Sequence, residues 1–168
     1  TDPNSLQWPD QGVTRVPYRV FDDPAIAERE QALLFRGPTW NYLGLDCEIP
    51  RAGDYKLNFV GETPVILCRD ENGEVQALVN RCAHRGALVC IDKRGNREQF
   101  SCVYHNWSYN LRGELVSVVF KRGVRGKGGM PESFDNAEHG MERLRVASFC
   151  GIHFGTFSDR TPPIEQYL

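Results

Sequence analysis

The sequence lacks the features that mark several large classes of protein. None of its 168 residues falls in an apolar run that approaches the roughly 18 residues of a membrane-spanning helix. The first residues, TDPNSLQWPDQG, have no charged start followed by an apolar segment, so they do not form a secretory signal peptide. The formal net charge of −2 gives no general attraction to nucleic acid. We therefore expect a cytoplasmic protein that binds neither nucleic acid nor membrane.

Helical periodicity is confined to one segment near the start. Asp23 is a suitable N-cap, Pro24 fits the first turn and Gly37 can end the helix. The apolar residues of this segment fall near one face, which predicts an amphipathic helix. They are Ile26, Ala27, Leu33 and Leu34.

Most of the remaining chain has the pattern of short β-strands separated by turns. Tyr55, Leu57 and Phe59 alternate with polar residues, and Asn72-Gly73 predicts a hairpin between the runs TPVILCRD and EVQALVN. Further strands are predicted in NWSYN, ELVSVVF, RLRVASF and GIHFGTFS. Short strands with little helix and no internal repeat indicate a mainly β fold, either an antiparallel β sandwich or a small barrel.

Two stretches interrupt the strand pattern. Residues 121–135 contain four glycines and four basic residues, and they are interpreted as a solvated loop or as a docking surface. The final stretch, RTPPIEQYL, is interpreted as a linker that leaves the domain. These observations divide the chain into a helical lead-in at 1–50, a β domain at 51–160 and the start of a linker at 161–168.

Six cysteines are present, but nothing in the sequence indicates export and a core of this size needs no disulfides. Cys68 and Cys150 lie in apolar stretches and are predicted to be buried free thiols. Cys47 and Cys90 allow no clear interpretation. The remaining two cysteines lie close to histidines.

Those two cysteines form Cys-His pairs. Cys82 and His84 are spaced C-x-H, Cys102 and His105 are spaced C-x-x-H, and seventeen residues lie between the pairs. Such a set can hold a structural zinc ion or a Rieske [2Fe–2S] cluster, in which two histidines bind one iron and two cysteines the other. Zinc sites usually place two cysteines on one loop and two histidines on the other. One of each per loop favours the [2Fe–2S] cluster, because each loop can then serve both irons.

The other two histidines, His139 and His153, have no such partners and are interpreted as structural.

At these residues the sequence resembles the Rieske domain at the start of the large (α) subunit of aromatic-ring-hydroxylating oxygenases. The matching stretches are NRCAHRGA and FSCVYHNWSYNLRGEL, and the similarity extends from about Val13 to the end, including GMERLRVASFCGIHFGTFSD. It is greatest to subunits that act on carboxylated aromatics such as salicylate, anthranilate, halobenzoate or terephthalate. The resemblance makes 51–160 the Rieske domain and places a catalytic domain after Leu168.

The resemblance implies a role as an electron carrier within an oxygenase. An electron would come from a reductase or ferredoxin and pass to a mononuclear Fe(II) in the catalytic domain of a neighbouring α subunit, within an α₃ or α₃β₃ trimer. That iron is held by two histidines and a carboxylate, a set that this sequence lacks, so we expect no catalytic residues here. A free-standing Rieske ferredoxin and a zinc-binding interaction module are the alternatives.

The sequence departs from respiratory Rieske proteins at two positions. Those proteins carry a further cysteine in each cluster loop, and Tyr104 replaces the second one, so no disulfide is expected between the loops. They also have a serine donor two residues after the last ligand, where Trp107 stands here. The absence of this serine donor predicts a reduction potential at the low end of the Rieske range, about −150 mV. Trp107 is interpreted as a shield of the cluster or as ordinary core.

Residues beside the first ligand pair receive looser interpretations. Arg85 and Gly86 are expected to shape the first loop. Arg81 and Arg85 are interpreted as contacts to a partner subunit or as solvated side chains.

Overall fold

The structure is a computed structural model that describes Thr14 and residues 16–168. Predictions that concern residues 1–13 and 15, including the start of the lead-in and of the family resemblance, lie outside the described residues. Within the described part of the chain, no helix is long and apolar enough to cross a membrane.

Short antiparallel strands dominate the described residues, which confirms the predicted mainly β fold. They are β1 (Asn41–Leu45), β2 (Asp54–Val60), β3 (Thr63–Arg69), β4 (Val75–Val79), β5 (Arg94–Asn96), β6 (Gln99–Ser101), β7 (Ser108–Asn110), β8 (Leu115–Ser117), β9 (Arg143–Phe149) and β10 (Ile152–Thr156). Among these residues, seven strands form one sheet in the order β1-β10-β9-β4-β3-β2-β5, and three form a second sheet in the order β6-β7-β8.

The helical segments are short and lie near the two ends and in the loops. They are α1 (Arg19–Asp22), α2 (Pro24–Glu30), α3 (Ile164–Tyr167), a π turn at Gln31–Phe35 that continues α2, and 3₁₀ turns at Asp46–Glu48 and Asn136–His139.

Helix α2 begins where the sequence predicts, but its apolar face does not continue. The Asp23 carboxylate caps the helix by accepting a hydrogen bond of 2.9 Å from the backbone N–H of Ala25. The π turn that follows has a wider repeat than an α-helix, which moves later side chains around the axis. Leu33 and Leu34 are therefore 57% and 51% exposed, and Phe35 packs on the core instead. Ala27 is exposed as well and no residue of α2 is buried, so the prediction of one amphipathic face was wrong.

Strand β3 lies inside the larger sheet and separates two apolar clusters. The four residues from Val65 to Cys68 are all 0% exposed. Ile66 and Cys68 point into the cluster that also contains the cysteines of both Cys-His pairs. Val65 and Leu67 point into a second cluster on the other face. This is the expected result for a continuous apolar run in a strand, because successive side chains alternate between the faces.

The hairpin predicted at Asn72-Gly73 is confirmed between β3 and β4. The Asp70 carboxylate accepts hydrogen bonds of 2.9 Å from the backbone N–H groups of Asn72 and Glu74. Gly73 has a φ of 84°, which glycine adopts without steric cost. The predicted β7–β8 and β9–β10 hairpins are also present.

Strand β1 was not predicted, because its stretch was assigned to the helical lead-in. It pairs with β10 at the edge of the larger sheet, with a bulge between Tyr42 and Gly44. Part of the chain before residue 50 therefore belongs to this sheet. The domain boundaries at 50 and 160 stay predictions.

Two other predictions differ from the structure. Cys150, predicted to be buried, is exposed because it forms the β9–β10 turn with a φ of 49°. The C-terminal stretch, interpreted as a linker, folds back as α3 and buries Ile164, which is 3% exposed. Cys68 is buried as predicted.

Candidate metal centre

The first Cys-His pair lies on a tight loop that follows β4. The backbone N–H of Cys82 donates to the carbonyl of Ala87, and the N–H of Gly86 donates to the carbonyl of Cys82, both at 2.8 Å. Gly86 has a φ of 72°, which explains why glycine ends this turn. His84 is one of the residues of this turn and is half-buried.

The second pair lies on a loop of the same construction between β6 and β7. The N–H of Cys102 donates to the carbonyl of Trp107, and the N–H of Asn106 donates to the carbonyl of Cys102, both at 2.9 Å. Asn106 has a φ of 53°, a conformation that asparagine tolerates better than most residues. Each loop therefore starts at a cysteine, closes one turn at a left-handed residue and holds a histidine within it.

Asn80 supports the first loop and was not singled out in the sequence. Its side chain is 1% exposed. The side-chain amide donates to the carbonyl of Cys90 at 2.7 Å. Its oxygen accepts from the N–H groups of Val89 and Cys90, at 3.0 and 2.9 Å. These bonds tie the two ends of the loop to each other.

The two predicted cysteines share one core cluster, and the two predicted histidines contact each other nearer the surface. Cys82 and Cys102 are 4% and 1% exposed and belong to one core cluster. The rings of His84 and His105 are in contact, with centroids 4.7 Å apart and planes at 68°. His84 is half-buried and His105 is exposed.

The Nδ1 atom of His84 is buried and has no hydrogen-bond partner. A buried polar atom without a partner is unusual in a folded protein and needs an explanation such as a ligand. Burial lowers the pKa of His84 below its ordinary value, and the nearby charges of His105 and Arg85 lower it further. The imidazole is therefore neutral at pH 7, the form that binds a metal.

Tyr109 on β7 contacts the first loop and had no role in the sequence interpretation. Its hydroxyl lies 3.2 Å from the Sγ of Cys82 and accepts a hydrogen bond of 3.0 Å from the N–H of Ala83. Burial raises the pKa of Tyr109, and the contact with Cys82 raises it further. The phenol therefore keeps its proton and can donate it to a Cys82 thiolate.

Aromatic rings cover both histidines. Trp107 is 3% exposed and stacks on His84 with centroids 4.7 Å apart and planes 10° apart. Tyr104 lies against His105 at 3.9 Å. Trp107 is thus both a core residue and a cover for one histidine, which unites the two interpretations of this side chain. All six cysteines are unpaired.

The two remaining histidines are not among the predicted ligands, although His139 lies close to the site. His153 is 2% exposed, and its Nδ1 is 2.7 Å from the Ser148 hydroxyl. His139 packs edge-on against Trp107 at 5.9 Å, and its Nδ1 lies 2.8 Å from the carbonyl of Asp135.

Zinc and the [2Fe–2S] cluster require different arrangements of these four residues. In the described part of the chain, no three side chains of His, Cys, Asp or Glu are grouped so that they could hold one metal ion. Tetrahedral zinc would require all four ligands around one atom. A [2Fe–2S] cluster requires only two protein ligands at each iron. The two cofactors therefore differ in how many of the four residues must meet at one atom.

Comparison with known families decides between these cofactors. A family model described as the Rieske [2Fe-2S] domain matches residues 39–125, which include both loops. The chain belongs to this family. The cofactor of this Rieske domain is accordingly the predicted [2Fe–2S] cluster.

Curated relatives of the Rieske domain are oxygenase subunits. It is 52% identical over 163 residues to the terephthalate 1,2-dioxygenase terminal oxygenase subunit alpha 2 of Comamonas sp, covering 97% of this chain and 40% of the relative. It is 50% identical over 167 residues to the anthranilate 1,2-dioxygenase large subunit of Burkholderia cepacia, covering 99% of this chain and 40% of the relative. The chain thus spans about two fifths of the length of these relatives.

Solved structures agree with this assignment. The naphthalene 1,2-dioxygenase from Rhodococcus sp. bound to indole superposes with a TM-score of 0.79 at 32% identity. The match covers 90% of the Rieske domain chain and 33% of that structure.

Proposed function

We propose that this chain is the electron-transfer part of an aromatic-ring-hydroxylating oxygenase α subunit. Cys82 and Cys102 hold the inner iron of its [2Fe–2S] cluster, and His84 and His105 hold the outer iron. When bound, the cluster supplies a centre that accepts and releases one electron at a time.

The proposal is carried by the difference in exposure between the two pairs of ligands. The cysteine sulfurs lie in the core, where Tyr109 offers a hydrogen bond to one of them. The ring of His105 lies at the surface, so an electron can enter or leave by this side. Trp107 covers His84 and restricts water to the outer edge of the site.

The oxygenase role draws on similarity over almost the whole chain. The relatives' similarity extends over 97% and 99% of this chain, including the segment before the first predicted strand. That extent favours an oxygenase subunit over a free-standing Rieske ferredoxin. The names of these relatives contain terephthalate and anthranilate, so we infer a carboxylated aromatic as the substrate of the whole protein.

The partners and location of the whole protein belong to the same proposal. The electron would come from a reductase or ferredoxin and go to a mononuclear Fe(II) site of a neighbouring α subunit in a trimer. Cytoplasmic location remains a prediction, which cell fractionation tests.

The ligand set is tested by replacing single cysteines and measuring the cluster. Cys82→Ser should abolish iron, acid-labile sulfide and the rhombic electron paramagnetic resonance signal of the dithionite-reduced protein, because an alkoxide is a poor ligand for soft sites. Cys68→Ser is the matched control, since Cys68 is equally buried in the same cluster but is not a proposed ligand. A full-strength signal in Cys82→Ser would disprove the ligand assignment. A wild-type protein with stoichiometric zinc and no sulfide would disprove the function.

A further inference from the structure

A loop next to the exposed histidine has a defined shape. It comprises residues 119–130 and is here named the basic loop. Val124 and Lys127 exchange two backbone hydrogen bonds of 3.0 Å, and the N–H of Met130 donates to the carbonyl of Lys121 at 2.9 Å. The loop is thus closed at its base and near its tip.

The basic loop forms one wall of a shallow depression at the proposed cluster edge. The opposite wall is formed by His84, Tyr104 and His105. The wall on the side of the loop is formed by Val119, Phe120 and Met130. Anything that approaches the exposed face of His105 through this depression therefore meets the basic loop.

The charge of the basic loop is entirely positive. It contains Lys121, Arg122, Arg125 and Lys127 and no acidic residue, and the next acid along the chain is Glu132. All four cationic side chains are exposed, and Lys121 also donates a hydrogen bond of 2.7 Å to the Asn136 side chain.

Two further arginines lie beside the first ligand loop. Arg81 and Arg85 are both exposed. Arg85 directly follows His84 and adds to the positive charge of the basic loop, whereas Arg81 lines a depression with the acids Glu62 and Glu142. Positive charge of this kind raises the association rate of an acidic partner.

Phe120 adds an apolar contact to this surface. Its side chain is 67% exposed, and its φ is 58°. A bulky residue rarely adopts this left-handed conformation, and an exposed ring contributes little to folding. Strain that folding does not explain is common at binding sites.

The base of the loop is fixed to the site. The Lys121 ammonium lies 5.2 Å from the centre of the Phe134 ring. Phe134 in turn packs edge-on against Trp107 at 5.6 Å, and Trp107 stacks on His84. The loop therefore has a defined position relative to the outer ligands.

We propose that the basic loop, with Phe120 as its apolar contact, is the docking surface for the electron donor, and that this donor is a protein with an acidic surface. The inference rests on the proposed function and names the partner of the same site. Charged residues would steer the donor, and Phe120 would fix its final position.

The test measures electron transfer from an acidic plant-type [2Fe–2S] ferredoxin to the purified, cluster-containing protein by stopped flow. Such ferredoxins have lower potentials than Rieske centres, so the transfer is favourable. The double variant Arg125→Glu/Lys127→Glu should lower the second-order rate about tenfold or more at low salt. The difference should disappear at about 0.5 M salt, where charges are screened within a few ångströms.

Two controls separate docking from general effects. Lys93→Glu/Arg160→Glu reverses the same amount of charge at exposed positions outside the basic loop, and it should leave the rate within about twofold of wild type. Reduction by the methyl viologen radical cation should not slow in the Arg125→Glu/Lys127→Glu variant, because a cation is not repelled by the new carboxylates.

A second variant tests the apolar contact. Phe120→Gly removes the ring and relieves the left-handed backbone, so the thermal midpoint should stay unchanged or rise while the ferredoxin rate falls. Phe59→Ala, which removes another ring that is 63% exposed, should leave the rate unchanged. If Phe120 had a purely structural role, Phe120→Gly would lower the thermal midpoint and leave the ferredoxin rate unchanged.

Each failure has a distinct meaning. A wild type without a cluster would overturn the proposed function. A cluster that dithionite reduces normally, with equal ferredoxin rates in wild type and Arg125→Glu/Lys127→Glu, would overturn only the docking surface. A change in oligomeric mass with an unchanged rate would also overturn it, since the surface would then contact a second copy of the chain.

Discussion

Replacing Tyr109 by phenylalanine should lower the reduction potential of the cluster by about 40 mV. The hydroxyl that this variant removes lies 3.2 Å from the Sγ of Cys82. Hydrogen bonds to charged groups contribute roughly 1.5–3 kcal/mol, and bonds to the cluster sulfurs are one determinant of the potential. If the bond is stronger in the reduced state by about 1 kcal/mol, the shift is about 40 mV, because about 59 mV corresponds to 1.4 kcal/mol for one electron.

The same substitution should change the fold little. The ring of Tyr109 is 0% exposed, and phenylalanine keeps its volume in the core. The N–H of Ala83 loses its acceptor, but Ala83 is exposed, so water can replace the hydroxyl. We therefore expect an intact cluster and a thermal midpoint close to that of wild type.

Protein-film voltammetry measures the shift directly. Tyr55→Phe is the matched control, because Tyr55 is 2% exposed in the same core cluster and packs on Phe100. A potential that is unchanged or higher in Tyr109→Phe, or an equal fall in Tyr55→Phe, would refute the role of the hydroxyl.

Three further predictions concern other parts of the domain. The wild-type potential should lie near −150 mV, and a titration that places it above zero would contradict the expected effect of having Trp107 in place of a serine donor. Burial lowers the pKa of His153 from 6.5, so unfolding free energy should fall as the pH drops below about 6.5 and the unfolded chain takes up the proton. Urea unfolding at two pH values should show a smaller change in unfolding free energy for His153→Gln than for wild type. Burial also raises the pKa of Cys68 to about 12, so iodoacetamide at pH 8 should modify exposed Cys47 and Cys150 first, as peptide mapping would reveal.

The candidate site could be predicted from the sequence because its defining residues are close together along the chain. Each Cys-His pair lies within a single turn, so the spacing places both residues of a pair on one loop. Gly86 ends its turn because glycine adopts a positive φ without steric cost. The roles of Tyr109 and Asn80 could not be predicted in this way. Tyr109 reaches Cys82 only because the second sheet packs against the first loop, 27 residues away in sequence.

The fold was predictable where local pattern and tertiary structure agree. The alternation in β2 and the apolar run of β3 correspond to observed strands. Strand β1 was missed because NYLGL has no clear alternation and becomes a strand through its pairing with β10. Cys150 was misjudged because the apolar residues before it belong to β9, whereas the cysteine itself lies in the turn.

The two cluster loops belong to different sheets. The first extends from β4 of the seven-stranded sheet, and the second connects β6 and β7 of the three-stranded sheet. With the proposed ligands from both, the bound cluster would act as a cross-link between the sheets, and its removal would let them separate more easily. Iron loss should therefore be followed by loosening of the smaller sheet, so that damage to the redox centre also weakens the domain mechanically.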